Sequence, residues 1–165
     1  MNKSREKKTL LIVLLLIFMI ATVAIIEIWY FLQPPREKMR AALELNPAAF
    51  TQATEAAVGR RIEEKDTSLG TIKSLFWNTG LTAIDGRGEN GNVCFTFDWT
   101  YRYGEVSINL WYIPSNECAV PADMMLVTDN GSIQRWEGGG INNSGYIEVE
   151  RFQDKWFYVE QYYPT

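Results

Sequence analysis

Asn92-Val93-Cys94-Phe95-Thr96-Phe97-Asp98-Trp99-Thr100-Tyr101-Arg102-Tyr103 is the stretch on which the fold turns. Val93, Phe95, Phe97, Trp99, Tyr101 and Tyr103 alternate with Cys94, Thr96, Asp98, Thr100 and Arg102, the period-two pattern that sends alternate side chains to opposite faces of a strand. One face is aromatic and the other polar. Gly104 then marks a turn, and Val106, Ile108, Leu110 and Tyr112 alternate with Ser107, Asn109, Trp111 and Ile113 until Pro114 ends the return strand. The pair predicts a long, twisted antiparallel hairpin.

Working outward, Pro114 to Asp123, with two Pro and Cys118, reads as a surface loop. Met124 to Thr128 and Ser132 to Glu137 form a second hairpin across Asp129-Asn130-Gly131, where Gly supplies the left-handed conformation a short turn needs. The Gly-rich stretch from Gly138 to Gly145 is a flexible connection. Tyr146 to Phe152 and Trp156 to Tyr163 pair across Gln153-Asp154-Lys155. Before the central hairpin, Thr71 to Trp77 and Leu81 to Asp85 read as strands around an Asn78-Thr79-Gly80 turn, and Gly86 to Asn92 as loop.

Helices precede the strands. Pro34-Pro35 starts a short one over Arg36 to Leu45. Asn46 at the cap and Pro47 at the first position open a second from Ala48 to about Lys65, with Phe50, Ala53, Ala57, Val58 and Ile62 on one face. Helices first and strands after suggest an α+β domain.

Thr9 to Leu32 is almost unbroken Leu, Ile, Val, Phe and Ala, and about 20 such residues suffice for a membrane span. Lys3, Arg5, Lys7 and Lys8 outweigh Glu6 on its near side, while Trp29 and Tyr30 supply interfacial aromatics at its far end. The expected division is a cytoplasmic basic tail (1–8), an uncleaved transmembrane signal-anchor (9–32), a juxtamembrane helix or linker (33–45) and an extracytoplasmic α+β domain (46–165). The expected localisation is thus the cell membrane, single-pass, with the N-terminus cytoplasmic. Glu27 lies within the apolar run, close enough to its outer end to reach headgroup water.

The chain carries 16 Lys and Arg against 20 Asp and Glu, for a net charge of −4. Four of the basic residues precede the apolar run, while Glu6 and Glu27 lie before or within it, so the remainder carries −6. That balance argues against nucleic acid, whose phosphates are held by Lys and Arg. Outside the cytosol, Cys94 and Cys118 are expected to form a disulfide that staples the loop after the central hairpin back to its first strand.

The chain has no His. Imidazole acid-base relays and Ser-His or Cys-His nucleophile pairs are excluded, and two Cys alone do not complete a zinc site. No catalytic residue, metal site or cofactor is expected. Asp98, Glu148, Glu150 and Glu160 are the carboxylates that could converge on a polar pocket. Trp111, Trp156, Tyr158 and Tyr162 are the candidate interaction surface, since one helix layer covers only one face of a sheet and leaves rings on the other.

The helical start, the hairpins and the last strand, Lys155-Trp156-Phe157-Tyr158-Val159-Glu160, resemble cystatin-like and NTF2-like domains, over roughly residues 46 to 163. The Tyr103-Gly104 hairpin and Trp111-Tyr112-Ile113-Pro114-Ser115 resemble small single-pass bacterial exported proteins of unknown function. The resemblance implies one or two helices packed on a curled antiparallel sheet, and carries no catalytic residue across. The leading expectation is a non-enzymatic, membrane-tethered interaction module, an accessory or sensor subunit of an envelope complex with a protein partner there. The alternative is a pocket domain that binds a small ligand or hydrolyses through carboxylates. A lesser one is a structural subunit forming homo-oligomers through its membrane helix.

Overall fold

The computed structural model describes residues 3–66, 70–98, 106–138 and 144–162, the side chains of 3–10, 27 and 29–31 excepted. Two units divide at Pro34 and Pro35. The first holds α1 (Lys3–Leu32), whose apolar side chains from Leu11 to Ile28 are exposed wherever they are described. The second holds three further helices and an eight-stranded antiparallel sheet.

The expected membrane anchor is corrected. Among the described residues no helix is long and apolar enough to cross a membrane. The single-pass topology and the cell-membrane localisation go with it. The side chains of Glu27, Trp29 and Tyr30 lie outside the described ones.

In the second unit, α2 (Pro35–Leu45) buries Met39, Ala42 and Leu43, three- and four-residue steps that form one apolar stripe. It is part of the core. Asn46 then separates α2 from α3 (Pro47–Ala57), with Pro47 at the start of the helix as its fixed φ favours. The Asn46 side chain does not cap α3; its amide donates back to the Ala42 carbonyl at 3.0 Å and closes α2 instead.

α3 stops well short of Lys65. Gly59, at φ +73°, turns the chain into β1 (Arg61–Glu63), which carries Ile62 into the sheet. Thr71 to Trp77 is helical, within α4 (Gly70–Thr79), and not a strand. Ile72, Leu75, Phe76 and Thr79 are its buried residues, and that three- and four-residue spacing outweighs the β-branched start.

The remaining strands are β2 (Leu81–Asp85), β3 (Val93–Phe97), β4 (Val106–Tyr112), β5 (Met124–Asp129), β6 (Ile133–Gly138), β7 (Tyr146–Gln153) and β8 (Trp156–Tyr162). Their order in the sheet is β1-β2-β3-β4-β8-β7-β6-β5. The last strand therefore enters the middle, pairing with β4 from Val106↔Tyr162 to Tyr112↔Trp156 and with β7 on its other side. Trp99, Tyr101, Tyr103 and the Gly104 turn, with residues 139–143 of the Gly-rich stretch and Tyr163, lie outside the described residues.

One face of the sheet lies under the helices. Phe50 of α3 sits 5.2 Å from the Phe95 ring centroid and 5.7 Å from that of Trp156, and Phe95 and Trp156 are 5.4 Å apart. Such tilted and edge-on rings bury large area in favourable geometry. Gly86 lets α3 close on β2, because a Cβ there would lie 2.0 Å from the Ala57 carbonyl oxygen. The opposite face has its own smaller core, Ile113, Met124, Ile147, Val149, Phe157 and Val159, with Cys118 and Val120 of the loop packed on it.

Cys94 and Cys118 are free thiols, so the expected disulfide is also corrected. Cys94 is on β3, whereas Cys118 packs beside Val149 of β7 and Phe157 of β8, with β4 lying between β3 and β8. Two strand spacings are about 10 Å, beyond the roughly 7 Å that a bridged pair of Cα atoms tolerates. Burial pushes the Cys94 thiol up to about 12 and the Cys118 thiol up to about 11, so both stay protonated near neutrality.

Candidate functional site

Three regions of the second unit can meet a ligand: a polar cluster where the helices end, a cavity beneath the 114–123 loop, and the outer edge of β5.

The polar cluster contains three of the carboxylates singled out in the sequence, Glu148, Glu150 and Glu160. Glu148 of β7 lies directly opposite Glu160 of β8, and Glu150 is two residues further along β7 on the same face. Arg36 and Arg40 of α2 reach down to them. Arg36 Nη2 bonds Glu148 Oε1, and its Nε lies 3.1 Å from Glu150 Oε2, close enough to pair electrostatically although that oxygen gains no aligned hydrogen bond. Arg40 Nη2 donates to Glu150 Oε1 at 2.6 Å, and Arg135 of β6 approaches Glu148 Oε2 at 3.4 Å. Glu160 instead accepts the hydroxyls of Tyr146, at 2.7 Å, and Tyr158.

These pairings bear on the charges present. Burial opposes charge on Arg36, but the hydrogen bond and charge of Glu148, with Glu150 beyond it, outweigh that and raise its pKa. Desolvation first, and then the hydrogen bond to the Glu160 carboxylate, push the Tyr146 phenol up to about 12 and the Tyr158 phenol higher still. The guanidiniums also stack, Arg36 at 4.9 Å from the Tyr158 centroid, Arg40 at 4.8 Å from Phe152 and Arg135 at 4.1 Å from Tyr146. Each carboxylate here is already engaged by a cation or a phenol. The cluster therefore reads as the clamp that holds α2 to β7, with no carboxylate left over for a substrate.

Asp98 does not join it. It lies just beyond β3, exposed, with its backbone N–H donating to the Gly80 carbonyl at 2.8 Å. Trp156 and Tyr158 are core residues rather than a surface, at 6% and 2% exposure. Sequence alternation placed them on one face correctly, but that face is the one the helices cover. Trp111 is half-buried against the smaller core, and Tyr162 is half-buried with its ring 5.8 Å from Tyr146.

The cavity is about 380 Å³ and lies on the face away from the helices, walled by Asn116, Glu117 and Cys118 of the loop, Ser132 and Gln134 at the start of β6, and Val149, Arg151 and Phe157. Arg151 spans it, donating to the Asn116 carbonyl at 3.0 Å with its guanidinium 5.3 Å from the Phe157 ring. Asn116 is itself committed, its amide group donating to Asp154 at 2.8 Å and accepting the Lys155 N–H at 3.0 Å.

The edge is the site that sequence reading missed. Among the described residues β5 ends the sheet, paired with β6 on one side and with no strand on the other. Met125, Leu126 and Val127 are exposed to 69%, 50% and 51%, three consecutive apolar residues that cover both faces of the strand. The ladder slips between Leu126 and Thr128, which makes Val127 a bulge. The signal was present in Met124-Met125-Leu126-Val127-Thr128, which is apolar on both faces and lacks the alternation of a half-covered strand.

Compared with family models, with curated proteins and with solved structures, the chain matches none.

Proposed function

We propose that this chain is a protein-interaction module that takes up an extended segment of a partner as an additional strand on β5. The observation that carries this is the β5 edge, which has no strand beyond it among the described residues and exposes Met125, Leu126 and Val127 in a row. Strand addition uses both, since main-chain bonds supply affinity and the flanking side chains close over the new strand. The engaged carboxylates of the polar cluster and the absence of His weigh against catalysis.

Selection of displayed random peptides against the chain, followed by hydrogen exchange on the complexes, tests this. New protection is expected to concentrate in the β5 amides and to vanish in Leu126→Lys. Binders that protect the helices or the 114–123 loop instead, or no binders at all, would sink the proposal. A second reading, a small-ligand site, is favoured by the cavity at Arg151 and Phe157. A fragment screen by saturation-transfer NMR should then find hits that Val149→Trp, by filling the cavity, removes; hits that persist in that variant would dismiss it.

A further inference from the structure

The charges around β5 restrict what can lie along it. Asp123 precedes the strand and Asp129 ends it, both exposed, and Glu137 of β6, opposite Met125, is exposed beside them. Asp129 accepts from Gln134 Nε2 at 3.0 Å and from the Gly131 N–H at 2.9 Å, bonds that hold its carboxyl below the usual range and keep it charged. Arg135, opposite Thr128, is the cation nearest by register, and it is already engaged by Glu137 at 2.9 Å and by Glu148. The edge is thus an apolar bar with an acidic group at each end.

A second copy of the chain fits this edge poorly. Antiparallel two-fold pairing centred on Leu126 would lay Asp123 opposite Asp129 of the copy, so both ends of the pair would set acid against acid. Like charges opposed across strands are destabilising. The same pairing would also place a Val127 bulge on each side of its centre, and bulges on edge strands hinder flat edge-to-edge association. A short peptide has no second acidic frame and can bend to follow a bulge.

Resting on the strand-addition reading above, we infer that β5 takes an extended partner segment with a core of about four to six Val, Ile, Leu or Met residues flanked at both ends by Lys or Arg. The apolar core covers Met125, Leu126 and Val127, and the flanking cations meet Asp123 and Glu137 at one end and Asp129 at the other. Both pairings lie on the rim, so they select the partner and speed its arrival more than they hold it.

Three synthetic peptides test the inference on the full chain by fluorescence anisotropy. They share one apolar core, with Lys flanks, with Glu flanks, and with Lys flanks and a Pro mid-core. At low salt the Lys-flanked peptide should bind about tenfold more tightly than the Glu-flanked one, and the gap should narrow as salt screens the rim. The Pro-interrupted peptide should not bind. The double variant Asp123→Lys, Asp129→Asn, which keeps an acceptor for the Gly131 N–H, should abolish or reverse the preference while circular dichroism stays unchanged.

Equal binding of Lys- and Glu-flanked peptides, with the Pro peptide still inactive, would overturn the charge preference and leave strand addition standing. Binding of the Pro peptide as well as the others, with no protection of β5 amides, would overturn both. Concentration-dependent dimers whose β5 amides are protected would give the edge to a second copy and overturn the inference.

Discussion

The sheet ends in two strands that solve the same problem in opposite ways. β1 is three residues long; its Arg61 pairs with Glu63 at 3.4 Å, Lys65 reaches Glu63 at 3.1 Å, and Arg61 also lies 3.9 Å from Asp85 of β2. Short, charged edges discourage added strands. β5 is twice as long and carries no cation, and only the Val127 bulge interrupts it. The helix layer follows the same division, with Phe50, Ile72 and Leu75 in the core that includes β2 and β3, while the ion pairs of Arg36 and Arg40 reach no further than β7. The strand-addition proposal rests on this difference between the two edges.

The comparison can be broken most forcefully at the covered end. Phe50→Ala removes the ring that Phe95 and Trp156 pack on and should cost about 3–5 kcal/mol, read as a lower midpoint in urea. A loss below about 1 kcal/mol would mean that the helices do not anchor this end. Next, Glu150→Ala leaves Arg36 and Arg40 without their shared partner. Allowing for the partial exposure of both guanidiniums, it should cost about 2 kcal/mol and release α2 amides to hydrogen exchange before the strands.

A smaller effect separates the ends by pH. The Arg87 guanidinium, donating to both oxygens of Asp85, holds that carboxyl down at about 2 from its ordinary 3.8. A depressed folded-state value stabilises above the unfolded pKa, so this contribution is present above about pH 4 and is lost as pH falls toward 2. With Arg87 largely exposed, solvent screening limits it to about 1 kcal/mol or less. Asp85→Asn should remove that part of the acid sensitivity in pH-dependent urea melts; an unchanged slope between pH 4 and 2 would reject the pairing.

The smallest stability effect falls on the open edge. Leu126→Lys should change the unfolding midpoint by no more than about 0.5 kcal/mol, yet remove binding of the Lys-flanked peptide as measured by fluorescence anisotropy. Lost stability there would show that Leu126 belongs to the core and that the two ends are less different than their burial implies.

Alternation in Val93-Cys94-Phe95-Thr96-Phe97 and in Val106 to Tyr112, the turn chemistry of Asp129-Asn130-Gly131, and Asn46-Pro47 between two helices all found their places from sequence alone. These are local matters, in which the backbone conformation follows from a few neighbouring residues. The same reading failed at Thr71 to Trp77, where β-branched residues masked a helical spacing, and at Thr9 to Leu32, where no helix among the described residues is long and apolar enough to cross a membrane. What tertiary structure alone decided was non-local. It placed Trp156 and Tyr158 under the helices, separated Cys94 from Cys118 by a strand, and brought Glu148, Glu150 and Glu160 together with arginines more than a hundred residues away. It also inserted β8 between β4 and β7 and so left β5 outermost. Strand order is set by which apolar faces find cover across the whole chain, and no window of sequence contains that information.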